Sequence, residues 1–416
     1  MNGIAQVFDA YYCNFERIMI CLVKYFNKDE VIIMRKANNS EVKKINKNNV
    51  FRYINCREHA SKPDIANALD LSTPTILQIV NELIAEGYVI EVGEYASTGG
   101  RKATAIATVK EISKALGIDI TQNHISLVLT DLSGEVLNHK RIYYPFYDEE
   151  DYYKELGMFV NEYLHKNKAE DKICGIGISL PGIIDKNANK IVYSHALKLY
   201  NSDLSKFTMA LNHNCEFIND ANAAGISEVY NMINKKKMVY LSLSNSVGGT
   251  IINMDVKNYG FQNIDDVIYN GINGRAGEFG HMTLVPEGEK CYCGKQGCSD
   301  AYINAKVLAK NTDNRLETFF EELKSGNKAM IQRFDSYLEY LSIVINNIRM
   351  CFDCEVIVGG YVGSHIEPYI NKLRFKAEMR NTFDFDASYI IPCKYKIEAS
   401  ALGAAILQID RVISKI

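Results

Sequence analysis

One histidine and three cysteines fall in a single short stretch of this chain, spaced His281-x9-Cys291-x-Cys293-x4-Cys298. One imidazole and three thiolates are the donor set of a closed tetrahedral zinc site, and four protein ligands leave no position open for water. A metal bound this way is structural. Gly288, Gly294 and Gly297 lie among the donors and permit the tight turns such a knuckle needs. The competing reading, ordinary buried thiols, has to explain why three of 11 cysteines cluster while the others are scattered. Three residues before His281, in Gly-Arg-Ala-Gly-Glu-Phe-Gly-His, stands Glu278. A loop pinned by metal would hold that carboxylate ready to accept hydrogen bonds from sugar hydroxyls, the alternative being a solvent-exposed glutamate in a glycine-rich loop.

A second constellation lies near the other end. Three short helical patterns follow one another from Asn48: residues 48–60, then 61–70, with Ser61 and Asp64 spaced as a capping box and Pro63 in the first turn, then 71–87. In the third, Ser72 is the expected N-cap, Ile76, Ile79, Val80, Leu83 and Ile84 share one face, and Gly87 is the stop signal. Two helices joined by so short a turn make a helix-turn-helix, whose second helix would offer Thr73, Thr75, Gln78 and Asn81 to a DNA major groove. Two short strand patterns, 88–92 and 104–109, then flank a loop with Arg101 and Lys102, which reads as a wing placed to touch phosphate or minor groove. A small helical protein-docking domain is the alternative.

These stretches have to be positioned by a large body. At 416 residues, and with roughly 100–200 residues per domain, the chain should form two to four domains. A hydrophobic content of 47% and only seven prolines exclude a disordered or mucin-like chain. No apolar run approaches the roughly 20 residues needed to cross a bilayer, and the amino terminus lacks the order of a signal peptide, so a cytoplasmic protein with reduced thiols is expected. Net charge is −3, but residues 34–110 carry 11 Lys/Arg against 8 Asp/Glu, a weak basic bias where DNA binding is expected. From Ala115 strands alternate with helices, which implies an α/β architecture, and residues 239–255 loosely echo residues 115–131, which hints at a duplicated, two-lobed body with a cleft. The expected division is 1–40, an extension for which Met34 is an alternative start; 41–110, the winged helix; 111–235, the first lobe; and 236–416, the second lobe with the zinc loop and a terminal helix that returns to the first.

Ser-Leu-Pro-Gly-Ile-Ile-Asp from Ser179, Asn-Asp-Ala-Asn from Asn219, Gly-Glu-Phe-Gly-His and Cys-Tyr-Cys-Gly-Lys-Gln-Gly-Cys together resemble the ROK family of repressors, open reading frames and kinases. The resemblance covers roughly residues 40–410. It implies an actin/hexokinase-like (ribonuclease H-like) two-lobed α/β fold behind a winged helix-turn-helix. It also implies sugar contacts from Asn219 and Asp220, the latter the catalytic base in kinase members, from Glu278 and His281, from the backbone near Pro181 and Gly182, and from Asp300, where the family usually has a longer glutamate.

Kinase members of the family end the first strand in Asp-x-Gly-Gly-Thr, where this chain reads Asp119-Ile120-Thr121-Gln122-Asn123. A second phosphate turn, Gly-Thr-Gly in the family, reads Ser244-Asn245-Ser246, although Gly248 and Gly249 remain. Phosphoryl transfer needs an open backbone cradle for the nucleotide, and side chains fill it here. The expectation is therefore a sensor with no catalytic residue. It would be a sugar-responsive repressor, similar to xylose-responsive members, that binds a double-stranded operator as a homodimer or homotetramer without touching a membrane. The alternative is an ATP-dependent sugar kinase.

Overall fold

The computed structural model describes residues 39–95, 103–232, 237–253 and 264–416, so Met34, Arg101 and Lys102 fall outside the described residues. Asn46–Ile416 form one compact unit. Helix α1 (Asn39–Asn55) begins earlier than its apolar pattern predicts, because the polar lead is helical too; it stops short of Ala60 because Ala60–Ser61 is taken into a strand, β1. Helix α2 (Lys62–Leu69) starts at a complete capping box, with Ser61 Oγ accepting from the Asp64 amide at 3.3 Å and Asp64 accepting from the Ser61 amide. Helix α3 (Thr73–Ala85) is capped by Ser72, whose Oγ accepts from the Thr75 amide, and ends at Gly87, whose φ of +81° lets Tyr88 N–H reach Leu83 O. Strands β2 (Val89–Tyr95) and β3 (Ala103–Thr108) pair antiparallel, and β1 joins β3 to complete the winged-helix arrangement.

The body repeats one topology twice. In the first half β4 (Lys114–Ile120), β5 (His124–Asp131) and β6 (Val136–Tyr143) form a meander; helix α4 (Glu150–Lys166) leads to β7 (Ile173–Leu180), and after a small sheet of β8 (Ile183–Asp185), β9 (Lys190–Ser194) and β10 (Leu199–Asp203) comes β11 (Cys215–Asn219). The main sheet runs β11-β7-β4-β5-β6, with β7 and β11 parallel to β4. Helix α5 (Asp220–Val229) follows. In the second half β12 (Met238–Leu243) and β13 (Val247–Ile252) form a hairpin, then come α6 (Asp300–Ile303), α7 (Ala305–Ala309), α8 (Leu316–Lys324), α9 (Lys328–Phe352), β14 (Glu355–Gly359), α10 (Gly360–Gly363), α11 (Ile370–Glu378) and β15 (Ile390–Pro392). Its sheet runs β13-β12-β14-β15, with β14 and β15 parallel to β12. A hairpin followed by two parallel strands therefore occurs twice, as the sequence echo suggests.

Helix α12 (Ala399–Ile413) returns to the first sheet and packs on β4, β7 and α5. Its Ala405, Ile409 and Ile413 also enter the same apolar cluster as Phe51, Ile54, Ile65, Ile76, Ile79 and Leu83 of the winged helix. One core thus joins the helix-turn-helix to the body. No helix among the described residues is long and apolar enough to cross a membrane.

Candidate functional site

The four sequence-selected donors come together. Donor atoms of His281, Cys291, Cys293 and Cys298 all lie within 4.8 Å of one another. Cys293 Sγ and Cys298 Sγ are 3.7 Å apart, and Cys291 Sγ is 3.8 Å from His281 Nδ1. A tetrahedron with metal–sulfur bonds of about 2.3 Å has edges of about 3.8 Å, so the donors fit a zinc-sized ion; the sulfurs are far too distant for a disulfide. Backbone bridges between Thr283 and Cys298 and between Lys290 and Gln296 fold the knuckle, with Gly294 and Gly297 at φ of +87° and +77°.

Tyr292, between two of the thiols, is a residue the sequence did not single out. Its ring stacks on His195 at 4.1 Å, and its hydroxyl lies 3.1 Å from His281 Nε2. The imidazole therefore turns Nδ1 to the thiols and Nε2 to a tyrosine. Nothing in the spacing marks this, because His195 is nearly a hundred residues away.

The carboxylates gather at the ends of the strands. Asn219 caps α5: its Oδ1 accepts from Asn222 N–H at 3.1 Å, while its Nδ2 donates to Gly182 O and to Asp220 Oδ1, both at 3.0 Å. Gly182 has φ of +123°, and a Cβ there would meet Tyr193 O at 2.3 Å, so the Pro181-Gly182 turn can carry no side chain at this point. Asp119, buried at the end of β4, accepts from Ser179 Oγ at 2.8 Å. Burial pushes Asp220 up to about 7, with the neighbouring charges of Asp119 and Glu278 adding to it. Burial likewise pushes Asp119 up to about 6, against the Ser179 hydrogen bond and the Arg141 charge. Glu278 itself is exposed, at the start of the short turn Phe279–His281.

Asp300 is placed differently. It is 2% exposed, and its two oxygens accept from Val247 N–H at 2.6 Å and Asn304 Nδ2 at 3.2 Å. It ties α6 to β13, and both oxygens already have protein partners.

A raised carboxyl pKa has a definite sign. The folded protein holds the Asp220 proton more tightly than the unfolded chain, so this contribution is fully present below the unfolded value of 3.8 and is lost as pH rises through about 7. Asp220→Asn should therefore gain melting temperature relative to the parent chain as pH goes from 5 to 8. Melting curves of the two proteins across that range check it, and a constant difference would contradict it.

The turns at Thr121 and Ser244 have their polar groups engaged by other protein groups. Thr121 Oγ1 accepts from His124 N–H at 3.1 Å, and Thr121 N–H donates to His124 O. Ser244 Oγ accepts from Tyr361 N–H at 3.4 Å, and Ser244 O accepts from Ala305 N–H. Tyr361 faces the first lobe, with the Arg141 guanidinium 5.5 Å from its ring centre and 3.5 Å from its hydroxyl. The register Arg141–Ser126–Asp119–Ser179 sets those four side chains in one row across the sheet.

On α3, Thr73, Gln78 and Asn81 are exposed and Thr75 is half-buried, its hydroxyl 2.8 Å from Ser72 Oγ. Gln78 donates to Glu82 at 3.0 Å. Leu77, 47% exposed on the same face, was not among the residues selected from sequence.

The profile described as "ROK family" matches residues 115–411. Over 390 residues the chain is 27% identical to the xylose repressor of Bacillus spizizenii, covering 91% of this chain and 98% of the relative. Among solved structures, a ROK family transcriptional regulator described as a homologue of the E. coli MLC protein superposes with a TM-score of 0.67 at 19% identity, over 90% of this chain and 97% of that one. A ROK family glucokinase from Streptomyces griseus, in complex with glucose and AMPPNP, matches with a TM-score of 0.57 at 20% identity, over 71% of this chain and 99% of the enzyme. Such identities establish the shared actin/hexokinase-like fold. With a profile match over residues 115–411, well over half of its length, the chain belongs to the ROK family.

Proposed function

We propose that the protein is a sugar-responsive transcriptional repressor of carbohydrate-utilisation genes, with xylose the first sugar to test because the relative from Bacillus spizizenii is a xylose repressor. The single observation that carries the reading is the continuous core between the helix-turn-helix and α12, which leaves the outer face of α3 free for a DNA groove and ties it to the body that would bind sugar. Residues 41–110 form the DNA head, 111–235 the first lobe and 236–416 the second. Thr73, Thr75, Gln78 and Asn81 read base edges, and Arg101 and Lys102 on the wing meet the DNA backbone. Asn219, Asp220, Glu278 and His281, with the turn at Pro181-Gly182, hold the sugar in the cleft, and Asp300 backs the site from the start of α6.

Zinc on His281, Cys291, Cys293 and Cys298 is structural and fixes the loop that carries Glu278. The protein acts in the cytoplasm as a homodimer or homotetramer on a two-fold operator. Phosphoryl transfer is not part of the reading, since the Thr121 hydroxyl is taken by His124 N–H, the Ser244 hydroxyl accepts from Tyr361 N–H, and the Tyr361 ring meets Arg141 of the first lobe. Two measurements test it together. Gel shift with DNA from upstream of the chain's own gene at about 0.1 M salt should show retardation that one sugar among D-xylose, D-glucose and N-acetyl-D-glucosamine relieves. A coupled ATPase assay with the same sugars should show no sugar-dependent ADP. Absence of retardation, or robust ADP formation, would overturn the proposal.

A further inference from the structure

Asp410 is the least expected charged residue in the body. It sits near the carboxyl end of α12, a helix buried along most of its length, and has no exposed surface. A carboxylate there needs partners, and it has two of different origin. One oxygen takes Arg52 NH1 of α1 at 2.5 Å, an ion pair between the DNA head and the body. The other accepts the Ile264 amide at 2.6 Å. Arg52 is held further by Asn48 Oδ1 at 2.6 Å and Ser414 Oγ at 3.3 Å, and Asn48 Nδ2 in turn donates to Ile413 O.

The Ile264 end leads straight to the candidate sugar site. From Ile264 the chain runs along β13, with Asn253 N–H on Val267 O at 2.8 Å and Tyr269 N–H on Ile251 O at 2.9 Å. At Asn270 it meets the first turn of α5, where Asn222 Nδ2 donates to Asn270 Oδ1 at 3.3 Å, two residues from Asp220. The same strand of chain continues to Glu278. At its other end α12 also touches the site, since Ser400 Oγ donates to the Asp220 carbonyl at 3.1 Å. α12, about 22 Å long at 1.5 Å per residue, thus spans the distance from sugar site to DNA head.

Building on the proposed function, we propose that Asp410 is the positioning residue through which sugar binding is felt by the DNA head. A sugar held between Asp220 and Glu278 draws on residues 270–278, and that pull reaches the Ile264 amide on Asp410. A carboxylate without exposed surface has no water to replace a weakened partner, so its hold on Arg52 changes with its hold on Ile264. The head then shifts between two orientations, and only the sugar's differential affinity for them sets the response. Linkage makes the effect reciprocal, so operator DNA must change the sugar affinity by the same factor.

The test uses the full chain, operator DNA from upstream of its gene, and D-xylose, D-glucose and N-acetyl-D-glucosamine as probes. Fluorescence anisotropy gives the operator Kd with and without sugar, and calorimetry gives the sugar Kd. For a coupling in the usual range, the wild-type operator Kd shifts by about 5- to 150-fold. Asp410→Asn and Arg52→Lys should each bind the effective sugar within about threefold of wild type while that shift falls to within about threefold of unity. Folded variants that keep the full shift would overturn the relay. Should Asp410→Asn not fold, Arg52→Lys and hydrogen exchange on the unmodified chain decide. Added sugar should change exchange in 264–278 and 48–55 together, and a change confined to 264–278 overturns the proposal. A wild-type chain that ignores operator DNA would instead overturn the proposed function itself, so the two failures read differently.

Discussion

Cys291→Ser should empty the proposed metal site: metal content measured by mass spectrometry should fall from about one to below about one tenth of an ion per chain, because a hydroxyl is a poor replacement for a thiolate. The loss should cost the second lobe about 2–5 kcal/mol, since binding energy at a structural site is folding energy for the loop it closes. With shifts of about 2–4 °C per kcal/mol for a domain this size, the melting temperature should drop by about 4–20 °C. The lobe itself should survive. Its core, from Leu241 and Phe319 through Leu341 to Ile390, is independent of the knuckle, which rests on it through Phe279, Met282 and Leu284. The damage should fall instead on Tyr292 and on the loop before His281, so sugar affinity should disappear while operator binding persists, because the DNA head packs on α12 in a core distinct from that of the second lobe. Undiminished sugar affinity in a metal-free variant would contradict this account.

Gly117→Ala should be strongly destabilising. A Cβ at Gly117 would lie 1.7 Å from Ala401 O, and one at Gly403, on the facing side of α12, would lie 1.7 Å from Ala223 O. The atoms met are backbone, fixed by the hydrogen bonds of their own helices, so no side chain can turn aside. Overpacking usually costs about 1–3 kcal/mol where side chains can adjust, so the cost here should reach or exceed the upper end of that range. A Cβ on Gly248, by contrast, would meet nothing closer than Ala221 Cβ at 3.8 Å. Gly248→Ala should stay within about 0.5 kcal/mol of the parent, as substitutions without steric conflict do. Urea unfolding of the two variants side by side checks the contrast. Similar midpoints would mean that α12 can move off the sheet, which would also undercut its role as a rigid link.

Much of the fold was legible because its signals are local. Ser61 with Asp64, Ser72 and Gly87 mark helix ends through hydrogen bonds made within a few residues, and each does so in the structure. The helical stretches that the sequence places at about 149–166, 327–351 and 398–409 appear as α4, α9 and α12, the last running four residues further. The start of α1 was misjudged since an exposed polar helix has no apolar face to announce it. The small sheet of β8 to β10 was missed because its three- and five-residue strands are too short for period-2 alternation to show.

The site divides along the same line. His281, Cys291, Cys293 and Cys298 could be selected as one metal cluster because ligand type and spacing are properties of a short loop. The motifs at Asn219 and Glu278 were likewise visible as stretches. What no stretch contains is the meeting of distant residues: Tyr292 on His195, Tyr361 against Arg141, Asp300 turned to Val247, and Asp410 between Arg52 and Ile264. The sequence by itself determined the element types, the family and the metal donor set, since each is written in neighbouring residues. Only the tertiary structure decided which buried charges acquired partners and from which element, because burial and pairing depend on chain segments that folding brings together across hundreds of residues.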